Sequence, residues 1–534
     1  MASSNIELPA LNPLCRIDVS GFEEEKIYTR HITATSLGPH YDGAMLWYYD
    51  IRNNYNYLVA AVTRLCRKVP EFKAGPEFEK FFEDFLDYYD IKGPIPLIPF
   101  EEYINNHPSY TAAKKRSLIK LHHETKNLSL EELWRYTTAA SFVKWEPYME
   151  EKKPRLINPR DDVYKVRVAH IHASVDKFIY EKLKDFLVKG MTSPERSAKI
   201  DEVFGDRDET LSSDFSSQEV SIKEFLMRLE CRIYERLLTG VITTEELNLI
   251  IVTKLSPQRL EGSGLKLVLD VARDSGDPDT ASMNAVENVV STSFSYKEQL
   301  YPELTNQEFF ALKGDDYDIL CEGDDGLHSS KRGRINASTY EKLGFLAKIE
   351  VHETSREASF CGQVLSARKT LFADPVKFLL KLGWAHPQYH GCSQKTKNKL
   401  LVAKAYSALY LYPGCPIIHP VAATIVRRHI NLINDNLRHL MFDDPHKIAQ
   451  ITFSQQKAIE LCNIKVHDED RNDYERLYGL SVEDQLSLEK EPMTKPWNNE
   501  SLNKILKPEY FENFLRCARI APVGYTEEAD HDLA

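Results

Sequence analysis

The chain has 534 residues, 42% of them hydrophobic and 10% aromatic, which argues for a large globular core with several subdomains and against a disordered protein. Its net charge of −12 argues against a basic coat, although a basic channel inside an acidic exterior still attracts phosphates. Nine cysteines without a CxxC pair point to a reducing compartment and away from a disulfide framework or zinc module; no signal pattern is visible, and no apolar run approaches the ~20 residues that span a bilayer.

Residues 1 to about 40 read as irregular, because Pro9, Pro13 and Pro39 interrupt any periodicity. Helical spacing begins near Asn54 and continues through Leu58, Val62 and Leu65. A clearer amphipathic helix carries Phe78, Phe81, Phe82, Phe85, Leu86 and Tyr89 on one face, a stripe that reads as core. Lys114, Lys115 and Arg116 open another helical stretch, as a solvated face or as a contact for a polynucleotide backbone. Lys144, Arg155 and Arg160 fall among prolines that favour extended chain, with Arg155-Leu156-Ile157 as a short strand. Cations on such a ribbon can face one channel and suit a triphosphate.

Leu211 to Asp214 reads as a strand end carrying acids, with Glu219 close behind and an apolar helix through Phe225, Leu226, Leu229 and Ile233. The polar loop Asp274-Ser275-Gly276-Asp277-Pro278-Asp279-Thr280 feeds a helix from about Ser282 that carries Asn284. Tyr317 to Cys321 then rises into Gly323-Asp324-Asp325, and Gly326-Leu327-His328 leaves it, the pattern of a β-hairpin. Adjacent carboxylates at a hairpin tip repel and resist desolvation, so a fold gains little from them without a cation. Hard oxygen ligands of this kind suit Mg²⁺ or Mn²⁺. As a bare tripeptide, Gly-Asp-Asp is also an ordinary solvated turn.

The same tripeptide occurs upstream at Gly314-Asp315-Asp316. It reads as the loop entering the hairpin, with Gly314 ending a helix, which leaves Asp324 and Asp325 as the functional pair. Beyond Asp374 the pattern is mostly helical, with basic points at Lys395 to Lys404 and Arg427-Arg428. His386, His390 and Cys392 lack a fourth metal ligand, and residues 527–532 read as a disordered acidic tail.

Taken in order, from about residue 105 to about residue 380, these elements resemble the RNA-dependent RNA polymerases of positive-strand RNA viruses. Asp214 matches the first acid of motif A, and Ser275, Gly276, Thr280 and Asn284 match motif B. Gly323, Asp324 and Asp325 match motif C; Lys144, Arg155 and Arg160 match the cations of motif F; Tyr110 to Arg116 resembles motif G near the template entrance. Leu343 to Glu350 resembles motif D, which implies that Lys348 protonates the leaving pyrophosphate, and Ser359 to Gln363 resembles motif E. The phrase Glu322-Gly-Asp-Asp-Gly-Leu327 and the short motif F point to the tombusvirus-like and nodavirus-like group. One departure is Glu219, where the family has Asp as the second acid of motif A; the longer side chain reaches differently toward a ribose hydroxyl.

The resemblance implies an α+β right-hand polymerase. It places an N-terminal region and fingers over 1–205, with basic strands at 144–160, and a palm of antiparallel sheet backed by helices over 206–370. A fingers insertion falls near 235–270, a helical thumb over 371–490, and a C-terminal extension over 491–534. It implies template-directed RNA synthesis with two Mg²⁺ ions, replaceable by Mn²⁺, held by Asp214, Asp324 and Asp325. Lys144, Arg155 and Arg160 would bind the triphosphate together with Ser275 and Gly276, while Glu219, Thr280 and Asn284 would read the 2′-hydroxyl; Lys114, Lys115 and Arg116 would touch RNA. Implied partners are a single-stranded RNA template, nascent RNA, ribonucleoside triphosphates, and other viral replication proteins that supply membrane attachment in the host cytoplasm. The alternatives are a reverse transcriptase, disfavoured by the Gly before the acid pair and by the Asn284 loop, and an inactive RNA-binding scaffold, which would be expected to have lost one of the three aspartates.

Overall fold

Phe78, Phe81, Phe82, Phe85 and Leu86 recur at helical spacing, and in the computed structural model all five are buried on one side of a helix. The structure describes residues 9–21, 29–150, 152–441, 448 and 450–506. They form a mixed α/β fold of helices and small sheets. In chain order, the elements that position the site begin with helix α1 (Asn54–Ala60), which runs into a π-helical turn at Ala61–Leu65. Then come α2 (Gly75–Tyr88), α3 (Ala112–Thr125), strand β1 (Leu156–Ile157), α4 (Asp162–Lys182), α5 (Ser193–Phe204) and β2 (Thr210–Phe215). They are followed by α6 (Glu224–Leu238), α7 (Thr244–Leu255), α8 (Thr280–Leu300), β3 (Tyr317–Glu322), β4 (Asp325–Ser330), β5 (Ala347–His352) and α9 (Gln394–Leu411).

Four strands form one antiparallel sheet in the order β3-β4-β2-β5. Tyr317 to Cys321 are all buried, so β3 is covered on both faces, which is why it reads as a continuous apolar run. At the other edge β5 keeps Lys348 and Glu350 exposed. Helix α8 packs against β3 and is buried along Ser282–Tyr296, so its polar side chains find internal partners: the Thr292 hydroxyl meets Tyr340 Oη at 2.8 Å. Together with α2, α4, α6 and the sheet it forms the largest core. A second core joins the helices of residues 372–502 to Leu37 and Tyr41, and a third joins Trp47, Tyr57 and Ala60 to Val143, Leu156 and Leu260.

Three expectations change. Residues 9–40 are not irregular throughout: Arg16–Asp18, His31–Thr33 and Thr35–Ser36 are short strands. They pair with Leu265–Val268, Trp47–Tyr49 and Trp384–Ala385, two of them distant, so no local periodicity announces them. Gly314 does not end a helix. The helix before it stops at Phe310, and Gly314, at φ +91°, turns the chain so that its N–H donates to the Tyr317 carbonyl at 3.0 Å. Helix α8 starts at Thr280, two residues earlier than its apolar spacing shows. His386 and His390 serve local structure: His386 Nδ1 accepts from the Gln388 N–H, and the His390 ring meets Thr35 Oγ1 and the Thr33 carbonyl. The acidic 527–532 stretch lies outside the described residues. Among the described residues no helix is long and apolar enough to cross a membrane.

Candidate active site

The hairpin closes with Glu322 paired to Asp325, leaving Gly323 and Asp324 as a two-residue tip. Gly323 has φ +65° at the first tip position, where a tight hairpin turn favours glycine. On the neighbouring strand the register pairs Gly326 with Ser213, so the next step brings Asp325 beside Asp214; on the far side Asp214 pairs with Lys348. A Cβ on Gly326 would come within 2.4 Å of Ser213 Oγ, so the close approach of β4 to β2 requires glycine there. Three carboxylates therefore gather at one end of one sheet, Asp214 and Asp324 exposed and Asp325 half-buried.

None of the three makes an ion pair among the described residues. Burial first, and then the Asp324 charge, raises the Asp214 carboxyl above its ordinary value. Burial, followed by repulsion from Asp324, Asp214 and Glu322, pushes Asp325 up to about 6. This is an uncompensated set of hard oxygen donors, which fits a divalent cation by its chemistry. Its oxygens are not drawn into a finished cage: among the described residues no three His, Cys, Asp or Glu side chains stand in metal-holding geometry.

The tip is held from both sides by residues that sequence reading did not single out. Asn288 Nδ2, on α8, donates to the carbonyls of Gly323 at 3.3 Å and Asp324 at 3.1 Å. Arg196, on α5, pairs with Glu322, which also accepts from Cys361 Sγ at 3.6 Å. Thr280, Asn284 and Asn288 are four residues apart and share a face of α8; that spacing is the signal that could have found Asn288.

The Asp274–Thr280 loop packs on the end of β1. Ser275 Oγ donates to the Leu156 carbonyl at 3.3 Å, and a Cβ on Gly276 would meet the Asn158 carbonyl oxygen at 2.2 Å. The Thr280 hydroxyl lies 2.8 Å from the carbonyls of Asp274 and Asp277, whereas Asn284 Oδ1 is buried without a hydrogen-bond partner. Glu219 is half-buried in the short helix Gln218–Ser221, tied to the loop by the Arg273 N–H, which donates to its carbonyl at 3.1 Å.

Lys144 and Arg155 lie side by side, the Lys144 N–H donating to the Arg155 carbonyl at 2.7 Å, and both side chains share Glu146. Burial opposes it, yet the Arg155 and Lys144 charges hold the Glu146 carboxyl down to about 2. Arg160 requires a correction. Expected at the triphosphate, it is buried instead, with Nε 2.7 Å from Asp277 Oδ1 and further contacts to Asp274, Gln258 and the Thr137 carbonyl. A guanidinium with its donors committed inside the core cannot also reach a ligand; it braces the Asp274–Thr280 loop.

Lys348 stands across from Asp214 with its side chain 72% exposed and paired to Glu350, whose hydrogen bond and charge raise its pKa. Lys114, Lys115 and Arg116 sit on the first turn of α3, where Lys114 pairs with Asp162 and Lys115 Nζ donates to the Asn105 carbonyl. Among the described residues no hydrogen bond or ion pair joins them to the acidic cluster.

A family model described as RNA dependent RNA polymerase matches residues 59–404, more than half of the chain, and that span contains all three carboxylates. No curated protein matches the chain.

Proposed function

The chain belongs to the RNA-dependent RNA polymerases of positive-strand RNA viruses, and is thus a nucleotidyltransferase that carries out RNA-dependent RNA synthesis; from that premise we propose that Asp214, Asp324 and Asp325 are its catalytic acids. The observation that carries this is the strand register, which brings Asp214 on β2 beside the β3–β4 hairpin tip. Two Mg²⁺ ions, or Mn²⁺, held by these carboxylates would acidify the 3′-hydroxyl of the growing strand and offset charge on the reacting phosphate. Asp214 and Asp324 would hold the cations, with Asp325 supporting them and Asn288 fixing the tip through the Gly323 and Asp324 carbonyls. Lys144 and Arg155 would exchange their shared Glu146 for the triphosphate, Arg155 through forked contacts. The unpartnered Asn284 Oδ1 and the Glu219 carboxylate are acceptors for the ribose 2′-hydroxyl, while Ser275, Gly276 and Thr280 shape the loop behind them. Lys348, its proton held by Glu350, would deliver it to pyrophosphate only once that pairing is exchanged.

On this reading the sheet and its helices over 206–370 are the palm, the residues before them and a segment near 235–270 the fingers, and the helices over 371–490 the thumb. Lys114, Lys115 and Arg116 are surface cations for template RNA, and the wording of Glu322 to Leu327 favours a tombusvirus-like or nodavirus-like member. Replication at host membranes would rely on partner proteins.

The test is incubation with a single-stranded RNA template, four ribonucleoside triphosphates and Mg²⁺ across a pH series. Product is expected to require the template and all four nucleotides. Without a cation Asp325 is pushed up to about 6, so its carboxylate is lost to protons on the acid side of neutrality and synthesis should weaken as pH falls toward and below that value. Because bound cation and proton compete, more Mg²⁺ should move that fall to lower pH. Absence of template-dependent product at any pH would overturn the reading.

Glu219→Ala is expected to lower the preference for ribonucleotides over deoxyribonucleotides about ten- to a hundredfold, the worth of one hydrogen bond to a charged group. The check is the ratio of kcat/KM for the two sugars; an unchanged ratio removes Glu219 from the sugar pocket.

A further inference from the structure

Helix α1 ends in a π-helical turn, closed by the Cys66 N–H donating to the Ala61 carbonyl at 2.9 Å. Such single-turn insertions re-aim side chains and recur at functional sites. Here the turn is packed between two parts of the site. On one side Ala60 and Ala61 share a core with Val143, Tyr148 and Leu156, the residues that carry the Lys144 and Arg155 ribbon. On the other, Arg67 Nη1 lies 3.4 Å from Ser216 Oγ, in the loop between Asp214 and Glu219.

Arg64 projects from this turn. Its guanidinium is half-buried and makes no hydrogen bond or ion pair among the described residues. Arg155, Glu219 and Glu146 are the charged groups that act on it. Glu146 is already committed to Arg155, Lys144 and the Tyr148 hydroxyl. A guanidinium half-buried beside another arginine, with none of its donors committed to the protein, can turn them in forked contacts toward an arriving anion.

We propose that Arg64 binds the triphosphate of the incoming ribonucleotide, completing with Lys144 and Arg155 a three-cation cradle in which the buried Arg160 has no part. The proposal rests on the polymerase reading of the site. Each forked contact to phosphate is charge-assisted, so loss of Arg64 should weaken nucleotide binding by about ten- to a hundredfold.

The experiment compares the parent with Arg64→Ala and Arg64→Lys in template-directed synthesis, alongside direct binding of ATP, adenosine and inorganic tripolyphosphate. Expected for Arg64→Ala are a nucleotide KM raised about ten- to a hundredfold and kcat within about threefold. ATP and tripolyphosphate should bind correspondingly more weakly, while adenosine and template RNA bind as in the parent. Arg64→Lys should fall between, since a point charge replaces the fork. An unchanged KM and tripolyphosphate affinity in Arg64→Ala, with an active parent, overturn the proposal. So does a changed ribose-to-deoxyribose ratio at unchanged KM, which would place Arg64 on Glu219. An inactive parent would instead count against the polymerase reading. Melting temperatures of both variants separate these results from misfolding: a rise in KM that is full in a well-folded Arg64→Ala and partial in Arg64→Lys supports the cradle.

Discussion

Replacing Asp324 and Asp325 together by Asn is expected to abolish nucleotide incorporation, by about a thousandfold or more, while the same change at Asp315 and Asp316 leaves it within about twofold. The two pairs carry the same Gly-Asp-Asp wording, and only their placement separates them. Asp315 and Asp316 precede β3, whereas Asp324 and Asp325 follow it. Six strand residues at roughly 3.3 Å each hold the pairs about 20 Å apart, too far to share a cation. The first pair also has another occupation: the Asp315 carbonyl accepts from Arg207 Nη1 at 3.2 Å, and the Asp316 carbonyl accepts from the Lys331 N–H at 2.8 Å. These are main-chain contacts that Asn retains.

Folding should survive in both variants. Asp324 is exposed and Asp325 is destabilised by its neighbours, so removing their charge relieves repulsion. A melting temperature at neutral pH equal to or slightly above the parent's is expected for the Asp324/Asp325 variant. The check is a side-by-side template assay. Activity lost at Asp315/Asp316 and kept at Asp324/Asp325 would mean that chemistry belongs to the other loop.

The β3–β4 hairpin was legible in the sequence because its information is local: an apolar run, a glycine where the turn wants one, and a second run in register. The same holds for the Phe78–Leu86 stripe and for the strand ending near Asp214. What was not legible depends on partners far along the chain. Arg160 looked like a third cation on an extended ribbon, yet Asp274, Asp277 and Gln258, about a hundred residues later, bury it. Arg64 is one arginine in an ordinary helical stretch; only the π turn and its neighbours across three segments give it a place beside Arg155. Glu146 carries no local signal that sets it apart, yet it is the counter-ion that gathers Lys144 and Arg155. Two of the three N-terminal strands pair with residues beyond 260 and 380, and no window of local periodicity spans such a distance.

Beneath the Asp274–Thr280 loop lies a buried charged network, and Asp279→Ala is expected to destabilise the fold by about 3–5 kcal/mol. Asp279 is fully buried just before α8; its Oδ2 accepts from Tyr234 Oη at 2.6 Å and pairs with Lys254, and His172 Nδ1 lies 3.8 Å away. These contacts tie α4, α6 and α7 to the start of α8, the helix that carries Asn284 and Asn288 toward the site. Removing Asp279 leaves Lys254 in the core with Glu230, at 3.5 Å, as its one ionic partner among the described residues. Burial opposes ionisation of Asp279, but the charges of Lys254, His172 and Arg273 hold its carboxyl well below the usual range. A depressed carboxylate contributes its stability above the unfolded value of about 3.9 and loses it as pH falls toward the folded value. The penalty should therefore be fully present at neutral pH and shrink below about pH 4. Urea unfolding of parent and variant measures it, and the temperature at which RNA synthesis fails should drop in parallel. Because the cost comes from an unmatched charge, replacing both partners by apolar residues, Asp279→Leu with Lys254→Met, should recover much of the lost stability. A single-variant cost under about 1 kcal/mol, or a double variant no more stable than Asp279→Ala, would show that the network does not hold α8 in place.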